Sequence, residues 1–466
     1  MKLPIPAWYR SPFTQVVMVG FTCFCTVGMY SAVSNLGAGG TKDVVLSDMA
    51  NGALMGCSAV AALFAGGVTN LLGVRSTLFI GTLGYSLYIG SLWCFQTQGT
   101  RWFVVFAGAL LGISAALLWN AQGTIMLSYP LEKDKGKAFG IFWAIFQLGS
   151  FIGALIALAI NLHSGELSAV STGTYVAFLT IMFIGTTSAL LLLPPTTIIR
   201  GDGSLIELQH SPSSPREELR SLFMQLADWR MLALTPMFFS ANYFYAYHAA
   251  INTFYFDGPT RAVNATLEGA GAIVGAILIG FILDAPGSGL KRRTRGYLGL
   301  AFLSISIVVT WSCALAWQLT LTRGANITKM SYRDKDFTPK AALYFFFYFG
   351  DSAYQALAYW IMGAITNDPS KLARYVAFYK ALQSAGAAGS YGMDAAAVPF
   401  LNEHLASWIM MLVALPLAGI VISTVHDTSY EDEITVFVED LKDEKTGADV
   451  VVAAEELKVA SPEHKA

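Results

Sequence analysis

Twelve apolar stretches run along the chain with short polar interruptions: 14–36, 47–70, 77–97, 102–127, 137–161, 173–193, 231–255, 262–283, 296–321, 341–364, 372–394 and 403–425. A helix rising 1.5 Å per residue needs about 20 mainly apolar residues to cross the hydrocarbon of a bilayer. Each stretch therefore predicts a transmembrane helix, the tenth and eleventh less uniformly apolar than the others. The first follows "MKLPIPAWYRSPF" and is longer than the apolar core of a cleaved leader, so it reads as a span. Between the sixth and seventh stretches, Pro194 to Arg230 is polar and rich in Pro and Ser, which reads as a linker. From His426 onward twelve acids and four bases give a net charge of −8. Such a tail buries too little apolar surface to order itself alone, though a short helix over 431–441 is compatible with it. The expected organisation is a first six-helix half over 1–193, a cytoplasmic linker over 194–230, a second half over 231–425 and an acidic cytoplasmic tail over 426–466.

Composition strengthens this picture. Hydrophobic residues make up 55% of the chain, charged residues 13%, and the mean hydropathy is +0.53. A soluble domain carries about 25% charged residues, so the solvent for this apolar excess is lipid. The formal net charge of −2 gives no reason to expect a nucleic-acid partner. Five cysteines, Cys23, Cys25, Cys57, Cys94 and Cys313, lie inside apolar runs without metal-ligand spacing; they read as small buried hydrophobes rather than a disulfide framework. No nucleotide loop, zinc set or catalytic triad is visible, so neither an enzyme nor a cofactor is expected.

Charge in the loops sets the orientation. With both termini cytoplasmic, sixteen Lys and Arg up to Arg374 fall on the inner side and eight on the outer, the bias that positive-inside topology demands. The outer loop 322–340 opposes the bias locally. It also carries "NIT" at Asn326, a glycan acceptor on the face expected to be lumenal; a second acceptor, "NAT" at Asn264, lies almost at the membrane surface.

The two halves repeat. "GGVTNLLGVRST" reads Gly66-x-x-x-Asn70-x-x-Gly73-x-Arg75, and "GFILDAPGSGLKRR" reads Gly280-x-x-x-Asp284-x-x-Gly287 before a basic run. Parallel six-helix halves with this turn between the second and third helices resemble the major facilitator superfamily. Here a helix ends and turns within a few residues. Glycine permits the turn, and the acidic residue can accept hydrogen bonds from a neighbouring helix start. Asn70 stands where the superfamily signature has an acid, whereas Asp284 keeps it. Two readings stay open for Gly66, Asn70, Gly73, Arg75, Gly280 and Asp284: gating loops, or tight hairpins without a gating role. A narrower resemblance lies in "GMYSAVSNLGAGG", "LLWNAQGTIMLSYP", "KGKAFGIFWAIFQLGSFIG" and "ALAYWIMGAITNDPSKLARYVAFYKALQSAGAA". These are similar to the uncoordinated-93-like family in its fungal branch. The resemblance implies an all-α membrane protein with twelve transmembrane helices in two pseudo-symmetric halves. For function it implies a family that includes escort or regulatory partners of other membrane proteins and members with no established substrate.

Polar groups at membrane depth are costly and mark places to look for function. The candidates for a substrate cavity are Asn120, Gln122, Gln147, Asn242, His248, Asn252, Asp351, Gln355, Lys380 and Gln383. Asn242, Tyr245, His248 and Asn252 recur at three and four residues and should share one helical face. That face either lines a cavity or bonds helices together, and His248 either couples protons or is a satisfied core histidine. Asp351 and Lys380 differ in expected depth by about 6 Å and are expected to pair. Two functions remain: a secondary transporter of an unidentified small solute, or a non-transporting escort or regulatory subunit. The membrane is the plasma membrane or an endomembrane.

Overall fold

A computed structural model describes residues 6–35, 44–164, 172–206, 228–285, 287–324 and 327–428, with isolated positions between 216 and 224. The described helices are α1 (Pro12–Cys23), α2 (Met29–Asn35), α3 (Val44–Leu72), α4 (Val74–Gln98), α5 (Arg101–Ser128), α6 (Lys135–Ser164), α7 (Thr172–Ala189), α8 (Trp229–Ala233), α9 (Thr235–Ser240), α10 (Phe244–Tyr255), α11 (Gly258–Asp284), α12 (Arg292–Gln318), α13 (Phe337–Ile365), α14 (Pro369–Ala395) and α15 (Phe400–Ile422). A π-helical turn over Phe24–Gly28 joins α1 to α2 as one column, and α8, α9 and α10 form another. The described residues thus form an all-helical bundle of twelve columns in two halves.

Eight columns are long and apolar enough to cross a membrane. The other four are α6, the broken seventh column, α13 and α14. For α13 the reason is visible: from Phe349 to Ala364 every residue is buried. A helix surrounded by protein need not be apolar all round, because neighbours rather than lipid meet its polar groups.

The seventh column departs from the expected continuous helix over 231–255. Pro236 opens α9, where its ring and missing N–H prevent α8 from running on. A second break at 241–243 separates α9 from α10. Asn242 therefore lies in a turn rather than on a helical stripe.

One end of the bundle gathers Arg10, the start of α6, the ends of α3 and α11, and Val425; this end is called the terminal face below. The linker begins by docking there. Arg200 is buried and donates to the carbonyls of Ser128 (2.7 Å) and Tyr129 (3.2 Å). At the opposite, distal face, Asp257 N–H donates to Met330 O (3.1 Å) and Met330 N–H to Tyr255 O (2.9 Å), tying the loop after α12 to the turn before α11. Two expectations change. Asn264 is fully buried in α11 and donates to Asn252 (2.9 Å), so it is no surface glycan acceptor. Cys23 and Cys25 are buried, but Cys57 and Cys94 are half-buried and Cys313 is exposed; all are free thiols. Asn326, the tail from 429 and most of 207–227 lie outside the described residues.

Candidate functional site

A connected polar network crosses the middle of the second half. Tyr245, one residue into α10, donates to Asp351 Oδ2 (2.7 Å). Gln355, one turn beyond Asp351 on α13, donates through Nε2 to both carboxylate oxygens at 3.2 and 3.1 Å. Gln383 on α14 donates to Asn242 Oδ1 (2.9 Å) and Gln355 Oε1 (3.3 Å), and accepts from Lys380 Nζ (2.8 Å). The break in the seventh column places Asn242 within reach of α14, and α10 restarts so that Tyr245 faces α13.

Asp351 and Lys380 are both buried, and no ion pair joins them among the described residues. The expected direct pairing is replaced by the bridge Asp351–Gln355–Gln383–Lys380. The ammonium instead lies over three aromatic rings, Trp119 and Tyr379 at 4.9 Å and Tyr359 at 5.5 Å. Ring faces attract cations through their quadrupole, which gives Lys380 partners without an adjacent carboxylate.

Trp119 belongs to the first half, so the site spans both halves. It stands in an aromatic wall with Phe146 (5.5 Å) and Trp143 (6.3 Å), while Phe139 meets Tyr359 of the second half at 5.0 Å. Tyr359 also donates to Gln122 Oε1 (3.4 Å) across the seam; Gln122 Nε2 is buried without a partner among the described residues. The first half thus contributes mainly flat apolar surface and the second half hydrogen-bonding groups and charge.

Other candidates stand elsewhere. Asn120 donates to Thr69 Oγ1 (2.7 Å) and Ala65 O (3.1 Å), bonding α5 to α3 inside the first half. Gln147 is half-buried with no described hydrogen bond. His248 and Asn252 face α11, at Glu268 (3.5 Å) and Asn264. The expected common face of Asn242, Tyr245, His248 and Asn252 therefore splits among α14, α13 and α11.

At the terminal face both halves touch through the repeated turns. A Cβ on Gly66 would lie 2.9 Å from Ala373 O, and Asn70 donates to Ser370 O (3.4 Å). Gly73 takes a φ of 79° and Gly287 one of 75°, conformations that favour glycine. Arg75 is exposed. In the second turn Asp284 accepts from the backbone N–H of Gly136 (2.9 Å) and of Lys137, the first turn of α6. A Cβ on Gly280 would lie 2.8 Å from Gly136 O.

Beside these turns is a buried ionic cluster that the sequence reading counted only as loop charge. Lys135 Nζ donates to Gly363 O (2.8 Å) and Asn367 Oδ1 (2.7 Å). Arg292, 2% exposed, pairs with Glu132 (3.1 Å) and donates to Gly363 O (3.0 Å). Asn367 donates to Glu132. The cluster fastens the α5–α6 loop of one half to α12 and the α13–α14 turn of the other.

The comparisons agree with this geometry. Residues 52–422 match the family described as "Ion channel regulatory protein UNC-93". An UNC93-like protein of Schizosaccharomyces pombe is 38% identical over 420 residues, covering 89% of this chain and 82% of that protein. UNC93-like protein 1 of Arabidopsis thaliana is 35% identical over 425 residues, covering 89% and 91%. Among solved structures, the Major Facilitator Superfamily transporter FucP in the outward conformation superposes with a TM-score of 0.61 at 12% identity, covering 88% of this chain and 98% of that one. The human organic anion transporter MFSD10 gives 0.61 at 12%, covering 88% and 99%; at such identity the likeness is one of fold. The chain is an integral multi-pass membrane protein with the major facilitator fold, and it belongs to the UNC-93 family.

Proposed function

We propose that the protein is a secondary transporter of a small polar organic solute, moved by rocking of the two halves around the central site. Its termini, linker and tail are cytoplasmic, in the plasma membrane or an endomembrane, with the loop carrying Asn326 lumenal and able to accept a glycan. The observation that carries the reading is the composite site: an aromatic wall from the first half against Asp351, Gln355, Lys380 and Gln383 from the second. A flat hydroxylated or amide-bearing solute fits such a pair of walls, stacking on one and exchanging hydrogen bonds with the other. Contacts from both halves make affinity depend on their relative position, which alternating access requires. The terminal-face contacts then act as the cytoplasmic gate.

Counterflow in proteoliposomes, with a panel of labelled sugars, amino acids and organic anions, tests the reading. Wild type should accumulate at least one class, and folded Gln383→Ala and Asp351→Asn proteins should lose most of that flux. Lack of accumulation for every class, with the variants indistinguishable from wild type, would overturn it.

A second reading is favoured by the family description as a channel regulator and by Asn70 in place of an acid: the fold acts as an escort or regulatory subunit for another membrane protein. Co-purification of one defined membrane protein in stoichiometric amount, disrupted by removal of 429–466, would favour it.

A further inference from the structure

The terminal face carries a basic rim beside the seam where Asp284 meets α6. Lys133 in the α5–α6 loop and Lys137 in the first turn of α6 belong to the first half. Lys291, just before α12, and Arg293, in its first turn, belong to the second. All four are exposed, and none has an ion-pair partner among the described residues. They flank one seam: Glu132 pairs with Arg292 (3.1 Å), Asp284 accepts from Lys137 N–H, and Arg295 donates to Asp284 O (2.7 Å). Glu132 and Asp284 are engaged inside that seam, which leaves the half-buried Asp134 against four cations. The chain returns to this rim after α15. Arg293 Nε donates to Val425 O (3.3 Å), and Asp427 Oδ1 accepts from Arg292 N–H (3.1 Å) at the start of α12, where the helix dipole favours a carboxylate. Thr428 is the last described residue. Beyond it, 429–466 carries eleven acids and four bases, a net charge of −7, and its first acidic block is Glu431-Asp432-Glu433. Six extended residues span at most about 20 Å, so this block, rooted at Asp427, has both sides of the seam within reach.

We propose that the acidic segment beginning at Glu431 docks on this rim and straddles the seam, its carboxylates on Lys133 and Lys137 of one half and on Lys291 and Arg293 of the other. Asp427 is the first contact of that interface, and charge complementarity extends it. Each exposed pair is weak singly and is screened by salt. Several on one segment act together, because the fixed root at Asp427 raises the effective concentration of the acids that follow. A strap across both halves holds them together at the terminal face, so its release controls their separation. That consequence follows from the seam alone and holds for a carrier and for an escort.

The test uses the full chain, one copy per phosphatidylcholine nanodisc, and a carbodiimide that joins a carboxyl to an amine only in direct contact; mass spectrometry reads the links. Lys371 with Asp368 (4.0 Å) is the internal positive control, and the exposed Lys335 of the distal face is the negative one. Links from the acids of 431–444 to Lys133, Lys137 or Lys291 should form at about 0.1 M salt and fall at least about threefold at about 1 M, where the screening length is about 3 Å. Changing Glu431→Gln, Asp432→Asn and Glu433→Gln together should reduce the links made by the acids of 439–444 at least about threefold, as joint action requires. Absence of links to the three rim lysines while Lys371 and Asp368 couple would overturn the proposal, as would links to Lys335 of equal frequency. Links that form in phosphatidylcholine but vanish in an equal mixture with phosphatidylserine would overturn it too, because the rim would then belong to lipid headgroups.

Discussion

The same turn is used twice at the terminal face, and the two copies hold their partner helices differently. Where α11 ends, Asp284 is buried and accepts from two backbone N–H groups at the start of α6. These groups have no partner within their own helix and carry the positive end of its dipole, so a carboxylate suits them. Where α3 ends, Asn70 donates a 3.4 Å bond to a carbonyl at the start of α14, an uncharged and longer contact. The backbones approach about equally closely in both, but the described side-chain contact is a carboxylate in one and an amide in the other. Steric fit between the halves is therefore shared by the two seams, while a carboxylate set on helix-start N–H groups belongs to the second. Parting of the halves should begin at the α3–α14 seam.

The largest expected effect breaks the charged seam. Asp284→Ala leaves two helix-start N–H groups without an acceptor, each costing about 1–3 kcal/mol when buried. Its thermal midpoint in nanodiscs should drop clearly below wild type, and below that of Asn70→Ala. Equal losses for the two variants would remove the asymmetry.

Next comes a change that should affect both seams alike. A Cβ on Gly136 would sit 2.7 Å from Asp284 Oδ1, and one on Gly66 would sit 2.9 Å from Ala373 O. Gly136→Val and Gly66→Val should each cost about 1–3 kcal/mol by overpacking, measured by the same melts. A much milder Gly66→Val would mean that the two backbones do not approach equally.

Asn70→Ala should cost about 0.5–1 kcal/mol at most, the scale of one ordinary hydrogen bond.

The smallest effect serves as a control inside the second half. Asp228 accepts from Arg230 and from Tyr375 of α14. Burial alone would raise its carboxyl, but Arg230 and Tyr375 outweigh burial and hold it below the ordinary value of 3.8. Its contribution is therefore present above that value and is lost as pH falls below it. Asp228→Asn should cost less than about 1 kcal/mol at pH 7, since Arg230 is a third exposed. The gap from wild type should close below about pH 4, read as the difference in thermal midpoints, with the seams unaffected.

Much of this molecule could be read from one dimension. Twelve apolar stretches became twelve helical columns, because a bilayer imposes length and apolarity on most segments separately; eight of the columns meet that demand by themselves. The repeat of Gly66-x-x-x-Asn70 and Gly280-x-x-x-Asp284 located both seams, since a turn at a membrane surface is a local problem with local chemistry. The family was legible in four quoted segments for the same reason. Asp351, Gln355, Lys380 and Gln383 were found as polar residues at membrane depth, and they do assemble.

What the sequence could not settle was how these groups meet. Depth along two helices placed Asp351 near Lys380, but rotation about each helix axis decides contact, and it sends Lys380 onto Trp119, Tyr359 and Tyr379. Periodicity put Asn242, Tyr245, His248 and Asn252 on one face, yet the break at 241–243 distributes them over three neighbours. The Lys135–Glu132–Arg292–Asn367 cluster joins residues more than 150 positions apart, so no local pattern announces it. Hydrophobic length and turn chemistry are properties of a segment, and the sequence by itself determined the spans, the repeat and the turns. Partner choice among buried polar groups depends on helix rotation and crossing, and only packing of the whole bundle fixes those.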